Sequence, residues 1–131
     1  GKGIVAADGG DVCIIANGIL VSAALEARAL LKNEGIDAAV IDMHTVKPID
    51  EELVLKYAAK TGNIVTAEEH NIIGGLGSAV AEILAENGGA RLARVGVEDV
   101  FGTSAPAGVL IDYYGLNAAG IAARVRRLLG K

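Results

Sequence analysis

The sequence is poor in aromatic side chains and has no excess of positive charge. Its 131 residues include no tryptophan, one phenylalanine and three tyrosines, and the formal net charge is −4. This composition argues against a nucleic-acid platform, and a chain of this charge has no general attraction to phosphate backbones or to anionic lipid. We therefore expect no nucleic acid and no membrane among its partners.

Cysteine is nearly absent as well. Cys13 stands alone in the apolar run 12–16, so no disulfide can form within the chain and a buried, inert thiol is expected. The amino terminus does not resemble a signal peptide, and no apolar run approaches the length needed to cross a bilayer. These absences predict a cytoplasmic protein.

Several catalytic and ligand-binding patterns are also missing. No Gly-Lys-Ser/Thr follows the glycine cluster at 74–77, which excludes a Walker loop, and the Gly-x-Gly-x-x-Gly spacing of a dinucleotide site fails. His44 and His70 have no second residue at ligand spacing, so no zinc site is predicted. Ser78 or Ser104 could be combined with His70 as a triad, but neither serine sits in a nucleophile elbow. We assign no catalytic residue and no metal ligand.

The pattern that is present is an alternation of strands and helices. Apolar residues make up 52% of the sequence and charged residues 21%, which predicts one globular domain over residues 1–131. The predicted strands are 2–7, 12–16, 38–43, 64–67 and 91–97, and the predicted helices are 19–34, 51–60, 76–86, 107–114 and 117–129. Residues 98–106 are expected to be irregular, and Leu30 is expected on the buried face of the first helix. This alternation predicts an α/β fold, a three-layer α/β/α sandwich around a mostly parallel sheet.

The segment 63–84 carries the candidate functional residues. A β-branched run at 64–67 predicts a buried strand, and Glu68, Glu69 and His70 follow it in a predicted loop. Open α/β sheets usually place ligands or partners at the carboxyl ends of their strands. We interpret the three residues as a hydrogen-bonded loop at a domain or subunit interface. The alternative makes His70 a substrate or cofactor contact.

Gly74, Gly75 and Gly77 lie between this loop and the next predicted helix, and we include them in the same interface or near-site loop. Glycine allows a sharp turn at positive φ and a close approach of backbones. Backbone N–H groups at the start of the helix could also bind a small anion. The predicted buried face of that helix consists of Leu76, Val80, Ile83 and Leu84.

Several segments closely resemble the C-terminal domain of transketolase. They are Asp11-Val-Cys-Ile-Ile-Ala-Asn-Gly18, Ala39-Val-Ile-Asp-Met-His-Thr-Val-Lys-Pro-Ile-Asp50, Ile64-Val-Thr-Ala-Glu-Glu-His70 and Gly74-Gly-Leu-Gly-Ser-Ala-Val-Ala-Glu82. The resemblance continues through 97–104 and 114–117 and covers essentially the whole chain. It is specific for a superfamily that also includes the beta subunits of 2-oxoacid dehydrogenases and deoxyxylulose-phosphate synthase. His70 and the run 44–48 favour transketolase within that group.

The resemblance implies a five-stranded mixed sheet whose first strand is antiparallel. It also implies a parent transferase of the pentose phosphate pathway, a homodimer that moves a two-carbon ketol unit between sugar phosphates with thiamine diphosphate and a divalent metal, Mg or Ca. In such enzymes the reaction centre lies between diphosphate-binding and pyrimidine-binding domains, and neither domain is present in these residues. The chain is therefore expected to be a fragment of a longer chain that supports dimerisation and architecture, holds no cofactor itself and is inactive alone.

Two other functions stay open at this stage. The parent could be a 2-oxoacid dehydrogenase, in whose beta subunit this domain also meets the acyltransferase partner, or a deoxyxylulose-phosphate synthase. The chain could also be a stand-alone regulatory module that holds a small anion at the glycine cluster 74–77.

Overall fold

The computed structural model describes residues 1–71, 75–97 and 116–131. The strands in these ranges are β1 (Ile4–Ala7), β2 (Val12–Ala16), β3 (Ala38–Asp42), β4 (Asn63–Asn71) and β5 (Arg91–Val97). The helices in these ranges are α1 (Leu20–Lys32), α2 (Glu51–Thr61), α3 (Leu76–Asn87) and α4 (Ala118–Leu128). The predicted irregular segment 98–106 and the predicted helix 107–114 lie outside the described residues.

The strands form one five-stranded sheet in the order β1-β3-β2-β4-β5. β1 pairs antiparallel with β3, and the other neighbouring strands are parallel. Parallel neighbours need crossover connections, and helices supply them here. The mixed sheet with an antiparallel first strand confirms the predicted α/β fold.

Each face of the sheet buries its own apolar cluster. α1 and α4 cover one face, where Ile14, Val65 and Ile121 are fully buried. α2 and α3 cover the other face, around Ile15 and Ile64. Adjacent residues of β2 and β4 supply both clusters because successive side chains of a strand point to opposite faces. Helices on both faces of one sheet form the three predicted layers.

Local sequence signals determine where two of the helices begin and end. The Asp50 carboxylate accepts a hydrogen bond from the Leu53 N–H (3.2 Å) and caps α2, as the sequence predicts. Gly62 ends α2 with a φ of 69°, a left-handed conformation that favours glycine. Asn117 caps α4 through the Gly120 N–H at 2.8 Å.

Leu30 does not belong to the core. It is 42% exposed, so its predicted place on the buried face of α1 is wrong. The buried stripe of α1 consists of Leu20, Ala24, Ala27 and Leu31. Leu30 lies beside that stripe, since each residue of a helix is rotated by about 100° from the next.

Cys13 is fully buried in β2, which confirms the predicted buried thiol. Burial raises its pKa and so disfavours the reactive thiolate. In the ranges that the structure describes, no helix is both long and apolar enough to pass through a lipid bilayer.

A polar cluster connects α2 to the turn between β1 and β2. The Asp8 carboxylate accepts hydrogen bonds from the Lys60 ammonium (2.7 Å) and from the Tyr57 hydroxyl (2.9 Å). These two bonds, the one from Lys60 most of all, lower the pKa of Asp8 to about 2. Burial, and then the bond to Asp8, raise the pKa of Tyr57 to about 12. The folded chain therefore favours an ionised Asp8 and a neutral Tyr57.

We expect Asp8→Asn to make the stability of the fold less sensitive to acid. The pKa of Asp8 is about 2 in the folded chain against an ordinary value of 3.8. Its contribution to stability is therefore complete above its ordinary pKa and is lost as the pH falls through the lower value. In urea unfolding series from about pH 5 down to about pH 2, the free energy of unfolding should fall less steeply in Asp8→Asn than in the wild type.

Glu26→Gln is the matched control, because it removes an exposed carboxylate on α1. Its unfolding should follow the wild-type pH dependence. Indistinguishable curves for Asp8→Asn and the wild type would show that the Asp8 cluster does not bias folding.

Candidate functional site

The carboxyl ends of the parallel strands meet at one edge of the sheet, and β4 brings the candidate residues there. Glu68, Glu69 and His70 all belong to β4, which continues to Asn71. The prediction that they form a loop after a short strand is therefore wrong. Pairing with β5 extends as far as Asn71, although its register is irregular on the way. This pairing outweighs the weak strand preference of charged residues.

Glu68 is buried at this edge, with 1% of its surface exposed. Its two carboxylate oxygens accept hydrogen bonds from the N–H groups of Leu76 (2.9 Å) and Gly77 (2.6 Å), in the first turn of α3. The start of a helix offers unpaired N–H groups and a partial positive charge, and a buried carboxylate needs both. Glu68 therefore acts as an internal anion that caps α3 and fastens it to β4.

Glu69 lies on the opposite face of β4. One of its oxygens is 3.2 Å from the point that a Cβ on Gly18 would occupy, just before α1, and the side chain is half-buried. Because strand residues alternate between faces, Glu68 and Glu69 do not form one acidic pair. The backbone of His70 continues β4, and its side chain lies outside the described residues.

Gly75 and Gly77 do not adopt a positive φ, so that part of the prediction is wrong for them. The predicted close packing is confirmed at Gly77. A Cβ there would lie 2.7 Å from Cδ of Arg94 and 3.0 Å from Oγ1 of the buried Thr66. α3 can approach the sheet this closely because Gly77 has no side chain. Gly74 lies outside the described residues.

These contacts limit the anion-binding hypothesis at the start of α3. The N–H groups of Leu76 and Gly77 are the donors that the hypothesis needs, and both bind Glu68. An external phosphate at the same place would have to displace a buried carboxylate of like charge. These two N–H groups are therefore not free for a small anion, and the hypothesis stays a prediction for the rest of the glycine cluster 74–77.

The described residues do not fit a divalent metal. Within the described ranges, no three His, Cys, Asp or Glu side chains come together as a metal site requires. Glu68 is already engaged by two backbone N–H groups. We therefore derive no step through a metal, or through a cofactor that needs one, for these residues.

A groove that the sequence does not predict runs beside α3. It has a volume of about 460 Å³ and lies between α3, from Gly75 to Glu86, and the segment 46–51 that leads into α2. We call it the α3 groove. Its walls are far apart in the chain, so only the fold brings them together. The one local signal is the spacing of Glu82 and Glu86, which places them on one helix face.

We expect Glu68→Gln to lower the free energy of unfolding by about 2–4 kcal/mol, because it removes a buried charge that two N–H donors require. An amide has one oxygen acceptor, so one N–H of α3 would face its NH₂ group. Urea unfolding near neutral pH measures the change.

Glu69→Gln is the matched control for this variant, since it makes the same change one residue along β4. It should cost at most about 1 kcal/mol, since Glu69 is half-buried near the start of α1 and lacks the two N–H bonds that Glu68 accepts. A loss of similar size in both variants would contradict the special role of the Glu68 bonds.

Comparisons with known proteins agree with this fold. A family profile described as "Transketolase, C-terminal domain" matches residues 1–121. A putative transketolase C-terminal section of Methanocaldococcus jannaschii is 48% identical, over 100% of this chain and 41% of its own length. A 6-deoxy-6-sulfo-D-fructose transketolase subunit of Clostridium sp. is 52% identical, over 90% of this chain and 37% of its own length. A 1-deoxy-D-xylulose-5-phosphate synthase of Geobacter sulfurreducens is 47% identical, over 98% of this chain and 21% of its own length.

Solved structures give the same result. One is described as "Split gene transketolase, inactive beta4 tetramer", where beta4 is part of that description and not the strand β4 of this chain. It is 50% identical with a TM-score of 0.92, over 98% of this chain and 42% of that chain. A transketolase from Leishmania mexicana has the same fold, with a TM-score of 0.66 and 24% identity, over 98% of this chain and 18% of its own. The chain thus spans about two fifths or less of these relatives. It belongs to the transketolase C-terminal domain family.

Proposed function

We propose that this chain is the C-terminal domain of a transketolase, a single domain of a longer or divided enzyme. The complete enzyme would transfer a two-carbon ketol unit between sugar phosphates in the cytoplasm, as part of the pentose phosphate pathway. Thiamine diphosphate and a divalent metal, Mg or Ca, would be held by the upstream diphosphate-binding and pyrimidine-binding domains. This domain would support assembly of the homodimer and carry out no chemistry itself.

The observation that carries this proposal is that Glu68 has a structural role at the candidate edge. A buried carboxylate at the carboxyl edge of an α/β sheet is a natural candidate for acid–base chemistry. Here both of its oxygens bind backbone N–H groups of α3, so it stabilises the fold at that edge. The edge is thereby fixed in shape, and we assign Glu69 and His70, which follow Glu68 in β4, to contacts with other domains.

The relatives also support a chain that assembles with other domains and carries out no chemistry by itself. The relative from Methanocaldococcus is itself described as a C-terminal section, and the related solved structure is described as an inactive tetramer of a split-gene transketolase. Both descriptions fit a chain that needs another polypeptide, or further domains, for activity.

A specific observation favours a second candidate parent. The 1-deoxy-D-xylulose-5-phosphate synthase of Geobacter is nearly as similar to this chain as the transketolase relatives are. The two enzymes would use this domain in the same way and differ in the substrates that the upstream domains bind. The assay of the reconstituted enzyme must therefore include both reactions.

The direct test of the proposed function is reconstitution. We expect ketol transfer from xylulose 5-phosphate to ribose 5-phosphate when this chain is mixed with a polypeptide that carries the upstream domains, thiamine diphosphate and Mg²⁺. We expect no turnover from either polypeptide alone. Formation of 1-deoxy-D-xylulose 5-phosphate instead would assign the second candidate. Absence of both reactions, with the two polypeptides shown to be folded and associated, would contradict the proposal.

We expect His70→Ala to weaken association with the upstream polypeptide by about 1 kcal/mol or more, which is about fivefold in Kd, because it truncates a side chain at the proposed interface. Calorimetric titration measures Kd, and the turnover number of the saturated complex should change little. Lys32→Ala is the control, since it truncates an exposed side chain at the C-terminal end of α1, which leads to the amino end of β3 and so to the opposite edge of the sheet. Unchanged association and unchanged kinetics in His70→Ala would remove His70 from the interface.

A further inference from the structure

The α3 groove extends along one side of α3. It follows α3 from Gly75 to Glu86, and its opposite wall includes the half-buried side chains of Val46 and Ile49. It also starts at the end of α3 that Glu68 fastens to β4. The groove is therefore held in place by the same bonds that fix the candidate edge.

Negative charge dominates the groove. Among the described residues that line it, Glu51, Glu82 and Glu86 are exposed carboxylates, against a single cation, Lys47. The ion pairs seen among the described residues are Lys60 with Asp8 and Arg126 with Glu34, so none of the three carboxylates has a cationic partner there. These carboxylates carry a charge that is complementary to the charge of a cationic partner, and they lie beside an apolar surface.

The position of the carboxylates in α3 strengthens this argument. Glu82 and Glu86 lie in the C-terminal half of the helix, and its last turn has no basic residue. The partial negative charge of a helix C-terminus disfavours carboxylates, and like charges four residues apart repel each other. Both effects destabilise the chain by itself, and a cation placed in the groove would relieve both.

We infer that the α3 groove binds an arginine- or lysine-bearing segment of the polypeptide that carries the upstream domains. The inference rests on the proposed function and adds the surface through which assembly occurs. Long basic side chains suit the groove because their methylene stems can lie along Val46 and Ile49 while their charged ends reach the carboxylates. An arginine can bind a carboxylate through two parallel hydrogen bonds.

The test combines neutralisation of the groove with a measurement on the chain alone. In Glu82→Gln/Glu86→Gln, Kd for the upstream polypeptide should rise by about tenfold at low salt, and its salt dependence should become shallower. The same double variant should have a higher Tm than the wild type, because it loses the repulsion and the unfavourable helix-end charge. Glu26→Gln on α1, which covers the other face of the sheet, should leave Kd and its salt dependence unchanged.

The outcomes separate this inference from the function on which it rests. If the wild-type chain binds the upstream polypeptide and the double variant binds with the same Kd and salt dependence, the groove is not the contact and the proposed function stands. A lower Tm in the double variant would overturn the charge argument. If the wild-type chain does not bind at all, the proposed function fails and the groove inference fails with it.

Discussion

The carboxylate of Glu68 has to be buried and charged at the same time, and the rest of the carboxyl edge depends on how that requirement is met. Its oxygens bind the N–H groups of Leu76 and Gly77, so the first turn of α3 replaces the water that a carboxylate would otherwise need. Gly77 allows this because a Cβ there would meet Arg94 and Thr66. One side chain on β4 thereby fixes the first turn of α3, and the apolar face of the helix packs on the sheet beyond it.

The two neighbouring carboxylates of β4 therefore have different roles: Glu68 stabilises the fold, and Glu69 is partly accessible at the surface. Glu68 points to α3 and Glu69 to the start of α1, since strand residues alternate between faces. Two carboxylates that are adjacent in the sequence are thus separated by the sheet. The edge has a fixed outline, and the α3 groove beside it is lined by three exposed carboxylates.

The sequence predicts the elements well where local physics decides. Buried strands such as 12–16, the Asp50 cap and the Gly62 end of α2 each depend on a few adjacent residues. The extension of β4 through its charged residues could not be predicted, because it depends on pairing with β5. The Glu68 bonds and the α3 groove join residues that only the folded chain brings together. The sequence therefore identifies the candidate residues but does not show how Glu68 and Glu69 divide between the two faces of β4.

Amide hydrogen exchange at Leu76 and Gly77, followed by NMR, is the most direct measurement of the interaction on which this account depends. The first N–H groups of a helix usually exchange fast because they have no partner within the helix. If Glu68 binds them as described, both amides will be protected to the same degree as the interior of α3. Exchange at the rate of an unstructured chain would show that Glu68 does not hold α3, and the account of the edge would be wrong.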